Sequence, residues 1–573
     1  MKKFDEIQEK ILFSNSVNQL VSAGAGSGKT TVMIEKIGNL LLSNEVKVSE
    51  LLVVTFTVLA SNEMKTRLIS RLKDELNNIE DEQKRQQIIN MMEELKTASI
   101  DTIDGFNSKT IRKYFYELNL SPNIEIISDA TRDYFITRAM KKTIDELSKD
   151  SEKVNIMLDL YGGNRRNFDR LEELILTAFY NVSNLYDVDG FISNSLNEYV
   201  DSIKSEKIVN DFITSNINRI KKEIIENFSN FDSKIKEKLN NFMENLNNIS
   251  NKLTLKANLR TLQSINEISF STKEYKENEG LKELNLKIKK FYGLINKLKE
   301  NQIDDHFDEK NAQILKYFKI FIELLKNFMQ NYNELKEKNN LLDFSDLNRL
   351  MLKLTENPRI LAELHSQYKH IFIDEYQDVN PLQDMLMSRL VGDNTKLFMV
   401  GDVKQSIYGF RGSSPEWFLD KYNTLKKLKN DSVFDMNINF RSNPKILNFI
   451  NEIFSKIMTV DTSDIDYFHD AMIDPKRDDI LDDKVKIMLV KDEAETEIAS
   501  GIYSVKNDNK KSIKISSEAL LTLKTLTELI GTEFYDANLK ITRKLDYSDI
   551  AILTHSEKDE SSQELIELLK SNA

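Results

Sequence analysis

The chain has 573 residues, with 80 Lys and Arg against 92 Asp and Glu for a net charge of −12, no cysteine and five histidines. That length predicts about three or four compact units, and the acidic balance excludes a protein that meets a polyanion over its whole surface. The lack of cysteine excludes disulfides, thiolate zinc sites and cysteine-held iron–sulfur clusters, and no two histidines stand at H-x-x-x-H spacing.

In chain order, strand-like runs at Gln19 to Ser22, Leu51 to Thr57 and Ala98 to Ile103 alternate with helical patterns such as Val32 to Leu42 and Ser61 to Leu76. This predicts a parallel sheet covered on both faces, hence an α/β fold. From 129 to 336 the texture changes to Lys-, Asn-, Glu-, Ile- and Leu-rich stretches with helical spacing, read as a helical insertion whose charge runs are solvated faces. Strand signals return at Ile371 to Asp374 and Lys396 to Val400, so the first sheet resumes after the insertion. A further set at Val433 to Ile438, Val485 to Val490 and Asp549 to Thr554, interrupted by a helical stretch from Pro444 to Met458, suggests a second α/β unit. The expected units are 1–128, 129–336, 337–428 and 429–573. Trp417 is assigned to packing. No apolar run approaches the roughly 18 residues of a membrane span, and Met1-Lys2-Lys3-Phe4-Asp5-Glu6 turns acidic at once, so a cytoplasmic protein away from membranes is expected.

The strongest chemical signal is Ala23-Gly24-Ala25-Gly26-Ser27-Gly28-Lys29-Thr30, which follows Leu20-Val21 and opens a helical pattern. Small residues let consecutive backbone N–H groups converge on phosphate oxygens, Lys29 can reach the β and γ phosphates, and the Thr30 hydroxyl can ligate Mg²⁺. The expected ligand is a nucleoside triphosphate. Ala23 stands where the strict form G-x-x-x-x-G-K-[ST] has glycine. At the end of the strand His370 to Ile373, Asp374-Glu375-Tyr376-Gln377-Asp378 supplies the carboxylate pair such a site needs. Asp374 would hold Mg²⁺, directly or through water, and Glu375 would orient and deprotonate the attacking water.

Gln8, the Ala23-to-Thr30 loop, Thr55-Phe56-Thr57, Asp343-Phe344-Ser345-Asp346-Leu347, Asp374 to Asp378, Gly401-Asp402-Val403-Lys404-Gln405-Ser406-Ile407-Tyr408-Gly409-Phe410-Arg411 and Asn439-Phe440-Arg441-Ser442 stand in an order that resembles UvrD-like, superfamily-one DNA helicases. The forms of the last two, and of the phosphate loop including Ala23, are most similar to the AddA family of bacterial helicase-nuclease subunits, and so is Tyr161-Gly162-Gly163-Asn164-Arg165-Arg166 with the helical run after it. The resemblance implies a RecA-like motor domain with a large helical insertion, followed by an incomplete second RecA-like domain. It implies ATP and Mg²⁺ as cofactors. The partners it implies are single- and double-stranded DNA and an AddB-like subunit, with 3′-to-5′ movement in double-strand break repair and recombination. Residue by residue, it implies that Gln8 reads the adenine edge, Phe440 stacks on the adenine, Gln405 senses the γ phosphate and Arg441 neutralises charge there, while Phe56, Phe410 and Arg411 lie near DNA.

The chain departs from the family at Val58 to Asn62, at Asp104, where the family has histidine and a phosphate would pass, and at Gly409. It resembles only about the first half of such a protein. The segments that complete the second motor domain, and the nuclease pattern, are not found, so the alternative expectation is a nucleotide- and partner-binding part that does not unwind DNA. An unrelated phosphate-loop kinase is disfavoured by the long gap between Lys29 and Asp374 together with Gln405 and Arg441.

Overall fold

The computed structural model describes residues 4–572 apart from 162–167, 205, 251–254, 266, 279, 301–306, 410–411, 429–431, 464–465, 478–484, 491–515, 537–538, 540, 555 and 557–558. Its organising element is a six-stranded parallel sheet. In chain order the strands of the described residues begin with β1 (Asn18–Ala23), β2 (Leu51–Thr55), β3 (Ser99–Thr102) and β4 (Glu125–Ile126), and continue with β5 (Leu341–Leu342), β6 (His370–Ile373), β7 (Lys396–Gly401) and β8 (Ser432–Met436). The sheet has the order β3-β2-β6-β7-β1-β8. Its inner strands β2, β6 and β7 read as apolar runs because both faces are buried. Leu20, Leu52, Val54, Ile371 and Ile373 belong to one core. Their neighbours Val21, Val53 and Phe372 point to the other, against α1 (Glu6–Phe13), α2 (Lys29–Leu42) and α3 (Val58–Leu76).

One strand lies elsewhere than the sequence suggested. The run from Val433, expected to open a second α/β unit, supplies β8 to the first sheet, where Leu20 of β1 pairs with Val433 and Ala23 with Met436. A strand is defined by its partner as much as by its own residues. Val433 packs into one core and Phe434 into the other, so β8 covers what would otherwise be an open β1 edge. Two more expected strands, Val485 to Val490 and Asp549 to Thr554, carry no strand pairing, and Leu489 is 93% and Leu553 95% exposed. Beyond β8 the described strands form only two-stranded pairs: β9 (Ile438–Asn439) with β10 (Asp474–Pro475), and β11 (Glu533–Asp536) with β12 (Ile541–Lys544). Trp417 is a smaller correction. On the helix Pro415–Leu425 the inward face holds Phe418 and Leu425, seven residues apart, which turns Trp417 to solvent at 48% exposure.

Between β4 and β5 the described residues are helical, from Asp129–Leu147 to Phe307–Lys338. The two short strands pair with each other, Glu125 with Leu341, so the chain leaves and returns side by side. The helices bury two separate cores. One contains Phe135, Ile175, Phe328 and Tyr332; the other, within 213–295, contains Ile224, Leu239, Phe242 and Ile288. The Tyr161-to-Arg166 similarity falls mostly on 162–167, outside the described residues.

The return point is fixed by charge. Lys336, 3% exposed, donates to Asp343 Oδ2 at 2.8 Å and also pairs with Asp346. Arg349 bridges from Asp346 to the Ser183 carbonyl at 2.6 Å, tying the helix Phe344–Leu354 to the helix Asp169–Ser183. Burial pushes the Asp343 carboxyl up, but the Lys336 ammonium outweighs it and holds that carboxyl at about 2. Removing the lysine leaves the Asp343 carboxylate buried without a cation and Asp346 with Arg349 alone. Lys336→Met is expected to destabilise the protein by about 3–5 kcal/mol in denaturant unfolding. Because the folded pKa of Asp343 lies below its ordinary value, this contribution is present above about pH 4 and is lost as the pH falls towards 2.

Candidate functional site

The edge of the sheet where the parallel strands end carries the motif residues. β1 runs into the loop 24–28 and then α2, whose N-cap is Gly28 at φ +90°; Gly26 stands at φ +72°. Only glycine takes these left-handed values without cost. The loop's carbonyls are held by protein donors: Asn439 Nδ2 reaches Ala25 O at 2.6 Å, Phe440 N reaches Gly26 O at 3.0 Å, and Gln8 Nε2 reaches Ser27 O at 3.0 Å. The N–H groups of Lys29 and Thr30, in the first turn of α2, have no partner within the helix by its geometry. The Ser27 hydroxyl is 1% exposed and has no hydrogen-bond partner. A phosphate group answers both needs, as an acceptor for helix N–H groups and for a buried hydroxyl.

The acidic side comes from the turn after β6. Lys29 Nζ donates to Glu375 Oε2 at 3.0 Å across 346 positions of sequence. Glu375 itself sits at φ +50°, a strained value for a residue with a side chain, held between Asp374 and the turn Tyr376–Asp378. Burial, followed by the charge of Glu375, pushes the Asp374 carboxyl up to about 6. The same two causes in the same order push Asp378 to about 6. Gln377 ties this turn together: its Nε2 donates to Glu375 Oε2 at 2.9 Å and Asp378 Oδ2 at 3.2 Å, and its Oε1 accepts from Asp402 N at 2.9 Å. Asp402, 1% exposed, then accepts from Gln405 Nε2 at 2.7 Å and Lys404 Nζ at 2.9 Å. A side chain on Gly401 would meet Gln377 Oε1 at 2.5 Å, so the glycine is needed for this linkage.

Thr30, Asp374, Glu375 and Gln405 line one cavity of about 520 Å³ together with Phe56 and Tyr408, a size that suits a nucleotide. Phe56 is half-buried and packs at a tilt against Tyr408, ring centroids 4.4 Å apart and planes at 43°. Among the described residues no group of three or more His, Asp or Glu is set to hold a metal. Mg²⁺ takes one or two protein ligands and completes its shell with water and phosphate oxygens, so Thr30 with Asp374 fits it. Asn439-Phe440-Arg441-Ser442 closes over the loop. Asn439 Oδ1 accepts from Arg441 N and Ser442 N, both at 2.8 Å, and a Cβ on Gly26 would lie 2.6 Å from Asn439 Nδ2. Phe440 and Arg441 project to solvent beside the loop. Gln8 stands beside the loop with its amide occupied by Ser27 O and by Asp5 N. Phe410 and Arg411 lie outside the described residues. Of the departures, Val58 and Leu59 are exposed on the first turn of α3, Gly409 is exposed, and Asp104 lines a neighbouring cavity of about 350 Å³ with Phe56, Asp378 and Tyr332. Gln377, Asp402 and Asn439 were given no role from sequence; all three lie inside recognised motifs, which was the available signal.

This constellation belongs to a known class. The UvrD/REP helicase N-terminal domain matches residues 4–239 and 213–427, and the chain belongs to that family. Along nearly its whole length it is similar to the AddA-type subunits of ATP-dependent helicase/nucleases. The one from Natranaerobius thermophilus is 29% identical over 98% of this chain and 47% of the relative. Those from Lactobacillus acidophilus and Syntrophomonas wolfei are each 29% identical, over 98% and 96% of this chain and 48% of each relative. The chain thus spans about half the length of these relatives. No helix among its described residues is long and apolar enough to cross a membrane.

The buried carboxylate has a measurable cost. With its folded pKa raised from 3.8 to about 6, Asp374 binds its proton more tightly folded than unfolded, so metal-free stability falls as the pH rises from about 4 to about 6. A shift of that size corresponds to about 3 kcal/mol at neutral pH. Asp374→Asn keeps the acceptor for Glu375 N at 3.0 Å and is expected to raise the melting temperature of metal-free protein at neutral pH. The gain should shrink towards pH 4, and added Mg²⁺ with nucleotide should stabilise the variant less than the wild type.

Proposed function

We propose that this chain is the amino-terminal, ATP-binding part of an ATP-dependent DNA helicase subunit of the AddA type. The observation that carries the reading is the convergence on one cavity of Thr30, Asp374, Glu375 and Gln405, with Lys29 paired to Glu375 and Asn439-Phe440-Arg441 laid on the phosphate loop. In this reading the six-stranded sheet is a RecA-like motor domain, the helices of 129–336 are its insertion, and a second motor domain begins after β8.

The loop N–H groups and Lys29 bind the β and γ phosphates, which requires Lys29 to leave Glu375. Thr30 and Asp374 would hold Mg²⁺, whose contribution is to neutralise charge on the phosphate oxygens. Glu375, freed of its lysine, takes a proton from the attacking water. Gln405 senses the γ phosphate through its place on Asp402, Arg441 swings from solvent to the developing charge, Gln8 reads the adenine edge and Phe440 stacks on the ring. Phe56, Phe410 and Arg411 would lie near single-stranded DNA, along which the motor moves 3′ to 5′. The whole protein would act with an AddB-like subunit on double-stranded ends in break repair and recombination, in the cytoplasm.

A second reading, a nucleotide- and partner-binding part that does not unwind DNA, is favoured by one observation: the described strands beyond β8 form only two-stranded pairs. DNA-stimulated ATP hydrolysis separates the two. The motor reading expects stimulation by single-stranded DNA, abolished in Lys29→Ala and reduced about 10²- to 10⁴-fold in Glu375→Gln with nucleotide binding retained. Nucleotide binding without DNA stimulation in the wild type would reject the motor reading and leave the second.

A further inference from the structure

α1 is an eight-residue helix, too short to hold itself together in water, so its position depends on what it is tied to. Its amino end is tied to the phosphate loop. Asp5 caps the helix by accepting from Ile7 N and Gln8 N, Gln8 Oε1 accepts from Asp5 N at 3.1 Å, and Gln8 Nε2 donates to Ser27 O at 3.0 Å. The Gln8 amide is therefore placed by the helix that carries it.

The carboxyl end of α1 is held by a residue of α2. Lys36, 7% exposed, donates to Ile11 O at 2.8 Å, Leu12 O at 3.2 Å and Ser14 O at 3.0 Å. These three bonds use every proton of the ammonium group. They satisfy carbonyls that a helix end leaves without partners, and they place a cation at the negative end of the helix dipole. Lys36 lies seven residues after Lys29, two turns along the same face of α2. The arrangement is costly: burial, then the charge of Lys396, pushes the Lys36 ammonium down to about 8. No step of the proposed hydrolysis uses this lysine. What it does is join the last turn of α1 to the helix that begins at the phosphate loop.

We propose that Lys36 is a positioning residue for the base subsite: by gripping the last carbonyls of α1 it fixes where Gln8 stands beside the phosphate loop, and so sets the preference for adenine over guanine. This rests on the reading that Gln8 meets the adenine edge. Lys36 touches neither base nor phosphate, and its loss acts through Gln8 alone. A cavity of about 500 Å³ beside Lys36, lined also by Gln19, Glu45 and His370, leaves room for a longer cationic side chain.

The test titrates the full chain, in Mg²⁺, with fluorescent ATP and GTP and with inorganic tripolyphosphate as competitor. Tripolyphosphate meets the loop but has no base for Gln8. Lys36→Met is expected to weaken ATP on the order of tenfold, the scale of a lost buried hydrogen bond. It should bring the ATP-over-GTP ratio close to one and leave tripolyphosphate affinity unchanged, and Lys36→Arg should restore the ratio. Should Lys36→Met fail to fold, Lys36→Gln, which keeps two donors, carries the same expectation in weaker form. A Lys36→Met protein that keeps its ATP preference while Gln8→Ala loses it overturns the proposal and spares the reading of Gln8. Equal weakening of tripolyphosphate and ATP also overturns it, by showing that Lys36 supports the loop as a whole. Intact preference in Gln8→Ala overturns the reading of Gln8 and the proposal with it.

Discussion

Everything at the candidate site follows from one constraint, that all six strands of the central sheet run parallel. Parallel strands send whatever follows them to the same edge. The phosphate loop follows β1, Phe56 and Thr57 follow β2, Asp104 comes just after β3, Asp374 and Glu375 follow β6, Asp402 follows β7, and Asn439 comes three residues after β8. Residues hundreds of positions apart become neighbours without any contact having to be specified between them in advance. β1 lies between β7 and β8, so the loop at its end is flanked by residues from both. Asn439 and Phe440 hold Ala25 O and Gly26 O from the β8 side, and Gln8 holds Ser27 O from α1. With its carbonyls so engaged, the loop keeps one shape, which is the preorganisation an anion site needs.

Charge is the second consequence. The turn after β6 brings Asp374, Glu375 and Asp378 together along one cavity, and Lys29 pairs with Glu375. The raised pKa values of Asp374 and Asp378 and the left-handed backbone of Glu375 are costs the fold carries at this edge. A divalent cation with a polyphosphate would offset the carboxylate charge while the phosphates take Lys29 from Glu375. Stability of the free protein is thus set against readiness for the ligand, and Asp374→Asn separates the two.

Local pattern was legible in the sequence, and partnership was not. The loop from Ala23 to Thr30 and the acids at the end of β6 were readable because their chemistry requires adjacent residues in a fixed order. β2, β6 and β7 were readable as buried apolar runs. The run from Val433 was equally readable as a strand, yet nothing in its residues says that its neighbour is β1, more than four hundred positions earlier, and not Val485 to Val490 just downstream. Gln377 was missed for a related reason. A glutamine between two acids looks like an ordinary solvated side chain until the close approach of Gly401 shows its amide spanning Glu375, Asp378 and the Asp402 backbone. Asn439, within a recognised motif, was overshadowed by Phe440 and Arg441, although it is the one whose side chain grips the loop.

The helical segment bears on the same edge. Its two cores show that most of its helices are stabilised by one another, while the clasp between β4 and β5 and the Lys336 network fix where the chain leaves and returns. That network reaches the site through the residues beside it: Asp343 and Phe344 line the cavity of about 350 Å³ that also takes in Phe56, Asp374 and Asp378. Phe179, Tyr180 and Tyr332 of the helices form its far wall, and Tyr332 lies under the Lys336 ammonium at 4.7 Å. The ion pair that anchors the returning chain therefore also touches two residues that line this cavity, Asp343 and Tyr332.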